Sequence, residues 1–248
     1  MTDDDISKLK KRFAELAERA ERSFIYQETR FLDQAEQSVL LSMRLPIPIT
    51  LYGGFDNAER RIACFGSEEI MGYAYEPPIV CVNIRPKGAR FAEELTHRDF
   101  LGSLMGLGFT RDVLGDIVVH NGEGWLFCLG TAAPVIIEEL VKVRHTCVIC
   151  SEGVMPQDAV SLGETRSFTV PSERLDALIS AVYKLSRDES KKLCEKGLVY
   201  VNSRLCLKAG STPEAGDTVS VRGHGRFRFL RIENETRKGR LRILAEVF

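Results

Sequence analysis

Apolar residues recur at steps of three and four over Ile6, Leu9, Phe13, Leu16, Ala20 and Phe24, which puts them on one face of a helix. Asp3, Asp4 and Asp5 stand at its start, where the positive end of the helix dipole favours acids. A second helical stretch covers 33–43 and stops before Pro46 and Pro48, since a residue preceding proline is driven out of the α conformation. Strands are expected at 49–52 and 61–65, around a Gly53-Gly54 turn. Together they predict a small N-terminal α/β domain over residues 1–78, ending in the 72–78 loop.

After Pro77-Pro78 the pattern changes. Residues 79–84 form a short apolar run that suits a buried strand, and 96–107 return to helical spacing through Phe100, Leu101, Leu104 and Leu107. Two further strands, 115–120 and 124–128, flank Asn121-Gly122, a strong hairpin signal. Helical spacing over 132–143 and a β-branched run at 146–150 complete the order β-α-β-β-α-β. That order predicts, for residues 79–160, the split βαβ plait of ferredoxin-like domains, an architecture shared with RNA-recognition motifs. Gly102, Gly106 and Gly108 lie in its first helix, where an interior glycine costs about 1 kcal/mol relative to alanine. Close packing on the sheet is the preferred reading of that cost, and close approach by RNA or a ribosomal protein is the other.

Residues 151–165, with Gly153, Pro156 and Gly163 among polar neighbours, read as a linker. Beyond it Ser172 is placed to cap a helix carrying Leu175, Leu178, Ile179 and Val182. A second helix opens with the capping box of Ser186 and Glu189 and stops at Gly197. Strands at 199–201, 218–221, 227–232 and 240–244 follow, so residues 166–248 form a third domain and the chain is of the α+β class.

The formal charge of −1 hides a division along the chain. Residues 1–165 hold 17 Lys+Arg against 25 Asp+Glu, whereas 166–248 hold 17 against 10, the balance of a module that binds a polyanion. The opening MTDDDISKLKK is acidic where a signal peptide would be basic, and no apolar run approaches the ~18 residues that span a bilayer, so a cytoplasmic protein without membrane contact is expected. The seven cysteines are an odd number, which argues against a disulfide framework and for reduced thiols.

In the second C-terminal helix Arg187 and Lys191 are four apart, as are Lys192 and Lys196, giving two basic rows while Leu193 turns to the core. Arg174 on the preceding helix and Arg204, Lys208 and Arg222 on the strands extend that surface. Arg226, after the Gly223-His224-Gly225 turn, is placed to approach RNA. An ordinary solvated face is the alternative for such a charge run. On the binding reading, Arg187→Ala or Lys191→Ala weakens binding and lowers its salt dependence with little effect on folding.

Residues 172–223 resemble the S4 RNA-binding domain. The resemblance rests on Arg174-Leu175-Asp176 at the first helix, Leu185-Ser186-Arg187 at the second, the Gly197-Leu198-Val199-Tyr200-Val201-Asn202 turn and Gly216-Asp217 before a strand. Ser203 departs from the pattern, where the family often has glycine. The resemblance implies that the helix pair and the turn at Asn202 bind structured RNA, with phosphate contacts from Arg174, Arg187, Lys191, Lys192 and Lys196. The segment from His97 to Gly108, with Arg111 and Gly115-Asp116-Ile117, is similar to the central domain of YlmH-type proteins, and the endings Arg222-Gly223-x-Gly225-Arg226-Phe227 and Thr236-x-Lys238-Gly239-Arg240 match that family as well. That likeness implies a monomeric, non-enzymatic factor, without cofactor, that binds ribosomal and transfer RNA at the large subunit, and a link to rescue of obstructed nascent chains.

Other chemistry is weaker. Cys147 and Cys150 with His145 lack a second cysteine pair for a zinc site, and residues three apart on a strand point to opposite faces. His97, His120, His145 and His224 fall in no catalytic pattern. Asp176 is the candidate nucleophile of a pseudouridine synthase, which also carries Arg-Leu-Asp, but Ala177-Leu178-Ile179 follow it in place of that motif's Thr and Gly. Gly223-His224-Gly225 is too short for a nucleotide loop. An RNA-modifying enzyme and a protein-interaction scaffold linked to cell division remain the alternatives.

Overall fold

The computed structural model describes residues 2–88, 93–159, 163–236 and 239–248; Lys238 of the closing motif and residues 160–162 of the expected linker lie outside them. Helix α1 (Asp3–Ser23) is capped by a reciprocal pair, Thr2 and Asp5, and buries Phe13, Ala17 and Ala20. After β1 (Gln27–Glu28), α2 (Gln34–Leu41) starts from a second such pair, Asp33 and Glu36. Strands β2 (Ile49–Tyr52) and β3 (Ile62–Phe65) follow, and the one-turn α3 (Glu68–Met71) lies just before the expected 72–78 loop, where the sequence pattern assigns no element. The sheet order is β1-β3-β2, and its inner face packs Ala63 and Phe65 against α1 and α2.

Next come β4 (Ile79–Pro86), α4 (His97–Gly106), β5 (Leu114–His120), β6 (Glu123–Leu129), α5 (Ala133–Glu139), β7 (Lys142–Val143) and β8 (Thr146–Glu152). They form an antiparallel sheet of order β5-β6-β4-β8-β7. Val82, Ile84, Leu126 and Val148 on one face bury Phe100 and Leu104 of α4 and Ile136 of α5. The hairpin between β5 and β6 turns on Asn121 (φ 50°) and Gly122 (φ 77°), the paired left-handed residues of a type I′ turn.

Two expectations fail here. The helix predicted to reach 143 ends at Glu139: Leu140 has ψ 81°, and the chain folds back through Arg144 (φ 51°), so that Val143 pairs with Thr146 in a short hairpin. Gly102, Gly106 and Gly108 do not pack on the sheet; all three are exposed, and a β-carbon built at any of them would have no neighbour within 4 Å. The tight glycines are Gly115, against the Phe31 ring, and Gly124, where a β-carbon would stand 2.7 Å from the Phe100 ring.

These two sheets belong to one compact unit, Met1–Val160. Arg60 joins them: its guanidinium donates to the carbonyl oxygens of Leu114 (2.9 Å), Phe31 (3.2 Å) and Arg111 (2.7 Å), and its own amide donates to Asp116 (3.2 Å). Phe55 stacks on Phe127 at 4.9 Å between ring centres.

The second unit is Ser161–Phe248. Where the sequence pattern gives a linker, β8 runs on to Glu152, a 3-10 turn occupies Gln157–Ala159, and β9 (Glu164–Val170) begins. Helices α6 (Leu175–Tyr183) and α7 (Arg187–Glu195) precede β10 (Val199–Val201), β11 (Arg204–Leu205), β12 (Thr218–Val221), β13 (Gly225–Glu235) and β14 (Leu241–Val247). The sheet order is β11-β10-β12-β13-β14-β9, with α6 packed against its inner face through Leu175, Leu178 and Ile179.

Candidate nucleic-acid interface

Helix α6 is not capped by Ser172. Arg174 occupies the cap position in extended conformation, and the first amides of the helix are satisfied by the chain itself, Leu175 donating to the Ser211 carbonyl (2.8 Å) and Asp176 to that of Ala209 (3.0 Å). Docking of the helix end on residues 209–211 removes the need for a side-chain cap.

Asp176 follows, 4% exposed and bound on both sides. Arg174 reaches its two carboxylate oxygens with Nε and Nη2, each at 3.2 Å, and Nη2 of Arg187 lies 2.8 Å from Oδ2. Burial pushes this carboxyl up, but the hydrogen bonds and charges of Arg187 and Arg174 outweigh that effect and hold it below the usual aspartate range. Arg174 and Arg187 are thus fixed to one buried anion, with about half and two-fifths of their side chains still exposed. This corrects the expectation that Arg187 could be removed with little effect on folding, since its loss leaves a buried carboxylate with one partner fewer.

Helix α7 starts as expected. Ser186 Oγ accepts from the Glu189 amide (3.1 Å), while Glu189 accepts from the amide and hydroxyl of Ser186, both at 2.8 Å. Those bonds hold the Glu189 carboxyl below its ordinary range. Ser190 and Cys194 face inward, Leu193 is half-buried against the core, and Lys191, Lys192 and Lys196 point to solvent. Lys191 Nζ lies 3.6 Å from Glu195 with more than half of each side chain exposed, a pairing of little energetic weight. Gly197 at φ 69° ends the helix.

The remaining predicted residues divide. Asn202 and Ser203, at φ 49° and 63°, form the two-residue turn between β10 and β11. The Asn202 amide is committed at both ends, donating to Asp217 (2.6 Å) and accepting from the Thr218 amide (2.9 Å), so it ties the turn to the Gly216-Asp217 strand start. Arg204 and Lys208 are exposed on β11 and the loop after it. Arg222 and Arg226 leave the helix side altogether: the Arg222 guanidinium lies 5.7 Å from the Tyr200 ring centre and that of Arg226 4.9 Å from Phe248. Sequence reasoning extends the surface of the helix pair to Arg204, Lys208 and Arg222, whereas the structure gathers Arg174 and Arg187 on Asp176, exposes the three lysines on α7 and sends Arg222, with Arg226, to the outer face of the sheet. It leaves out Arg228, which lies 5.8 Å from the Phe248 ring; the signal for it is Arg226-Phe227-Arg228, a period of two on a strand.

Cys147 is exposed and Cys150 buried, on opposite faces of β8; the Cys150 thiol donates to the Leu140 carbonyl (3.3 Å), and burial pushes it up to about 11. Among the described residues no group of three or more histidines, cysteines or acids could hold a metal ion, and no helix is long and apolar enough to cross a membrane.

Residues 79–155 match the family described as "Putative RNA-binding domain in YlmH", and residues 173–219 match the S4 domain. Over 226 residues the chain is 30% identical to the ribosome-associated protein quality control protein P2 of Bacillus subtilis (strain 168), covering 88% of this chain and 86% of that protein. Among solved structures, the cell division protein ylmH from Streptococcus pneumoniae is similar over 62% of this chain and 93% of its own, with 19% identity and a TM-score of 0.48.

Proposed function

The chain belongs to the YlmH family of RNA-binding proteins, and on that premise we propose that it is a non-enzymatic factor that binds the large ribosomal subunit through ribosomal RNA and transfer RNA and acts in ribosome-associated quality control. The observation that carries this reading is the pair α6–α7: a capped helix exposes Lys191, Lys192 and Lys196, and Asp176 fixes the partly exposed Arg174 and Arg187 where the two helices meet. Cations held by the scaffold contact phosphates without reading bases, so they grip a folded RNA and leave the choice of site to the other domains. The central domain, read as RRM-like, is the second contact. The protein works in the cytoplasm as a monomer and needs no cofactor.

Asp176 favours binding over catalysis. A nucleophile must be open to substrate, and this carboxylate is buried and occupied by two guanidinium groups. Cross-linking the protein to RNA in cells and sequencing the attached fragments tests the reading. Large-subunit ribosomal RNA and transfer RNA are expected, with cross-links from α7; recovery of no RNA above the background of a non-binding protein contradicts it.

A further inference from the structure

The basic excess of the second unit lies outside the residues that match the S4 domain. Residues 173–219 hold eight Lys+Arg against seven Asp+Glu, whereas 220–248 hold eight against three. Four of those eight cations, Arg226, Arg228, Arg231 and Arg242, are on β13 and β14. Phe227, Phe229, Ile243 and Ala245 enter the buried cluster with α6, so the residues between them turn to the opposite face. Strand register arranges that face in rows: Thr218, Arg228, Glu246 and Thr165 side by side, then Arg231, Leu244 and Ser167, then Asn234, Arg242 and Thr169.

Three of its arginines are held in place. Arg226 and Arg228 share the Phe248 ring, Arg228 lies 3.5 Å from Glu246, and Arg242 donates to Ser167 (2.8 Å) and lies 3.3 Å from Glu233. Glu233 and Glu246 offset part of the charge and leave arginine in excess. Hydroxyls of Thr165, Ser167, Thr169 and Thr218 are interleaved with the guanidinium groups. Protein–protein interfaces centre on an apolar core, which these rows lack. Single strands are gripped by exposed aromatic rings, and here the arginines lie over Tyr200 and Phe248. Cations and hydroxyls interleaved across a sheet face suit the phosphates and 2′-hydroxyls of an RNA helix.

We propose that this outer sheet face, with Arg226, Arg228, Arg231 and Arg242 as its charged contacts, is a second RNA-binding surface that takes the backbone of helical RNA. It rests on the reading of the protein as an RNA-binding factor and adds a grip on the face opposite α6.

The test measures affinity of the full chain for a 20-base-pair RNA duplex and for purified large ribosomal subunits over a range of salt. Four proteins are compared: wild type, Arg231→Thr with Arg242→Thr, Arg231→Lys with Arg242→Lys, and Lys191→Ala with Lys192→Ala and Lys196→Ala. Threonine keeps the strand preference, and thermal unfolding confirms that each variant is folded. Loss of two phosphate contacts should lower the slope of log affinity against log salt by about 1.5 on the duplex, at ~0.7–0.9 per contact, with the lysine pair restoring it. An unchanged slope and affinity in the threonine variant overturns the proposal; if the lysine triple variant still loses subunit binding in that case, the ribosomal reading stands without it. Failure of the wild type to bind either probe overturns both.

Discussion

Arg187 Nη2 meets Asp176 Oδ2 at 2.8 Å across the gap between α7 and α6, where 6% of the acid's side chain is exposed. The contact joins the two helices. Replacing Asp176 with Asn should lower stability by about 2 kcal/mol, because two partly exposed guanidinium groups lose their anion and the buried amide satisfies only part of them. Urea unfolding of the two proteins measures it. RNA affinity should fall too, through loss of orientation rather than of charge; full retention of stability would show that the pairing is incidental.

The same carboxyl predicts a pH dependence. Its folded value is depressed, so its contribution is present above the ordinary aspartate value of about 3.9 and is lost as pH falls through the lower, folded value. The stability difference between wild type and Asp176→Asn should therefore be constant from about pH 5 upward and shrink below about pH 4. A difference that grew on acidification would give the pairing the wrong sign.

Glycine substitutions in α4 and β6 should have opposite effects. Gly102→Ala gains helix propensity on an open face and should stabilise by about 1 kcal/mol. Gly124→Ala forces a methyl group into the Phe100 ring and should cost about 1–3 kcal/mol. Thermal unfolding separates them, and a Gly102→Ala variant that is stable yet weaker on ribosomes would mark α4 as a contact surface.

Ser203 holds φ 63° in the turn after Asn202, a conformation glycine adopts without strain. Ser203→Gly should raise stability by about 0.5 kcal/mol and leave RNA affinity unchanged. A loss of stability would mean that the serine side chain supports the turn.

What was legible in the sequence was local. Ser186, Glu189 and Gly197 define α7 within twelve residues, and Asn121-Gly122 defines its hairpin, because capping and turn chemistry act between near neighbours. Strand β9 was not legible: its first two residues fell in the expected linker, which ends at 165, and no strand was read over 166–170, because β9 lies at a sheet edge and buries only Val170 fully. The end of α5 was hidden for a related reason, since Leu140 and Val143 keep helical spacing while serving a turn and a strand. At the candidate site the cations were legible as a charge run, but their division between two faces was not. It depends on Asp176 gathering Arg174 and Arg187, and on Tyr200 and Phe248 drawing Arg222 and Arg226 to the other side.

The most direct measurement is co-sedimentation of the intact protein with ribosomal particles at low and high salt, beside the Lys191→Ala, Lys192→Ala, Lys196→Ala variant, which keeps Asp176 and both its arginines. Migration with the large subunit that weakens as salt rises and is lost in the variant is the predicted result. A wild-type protein that stays at the top of the gradient at low salt, or a variant that sediments as the wild type does, would contradict the account of α7 as the ribosome-binding face.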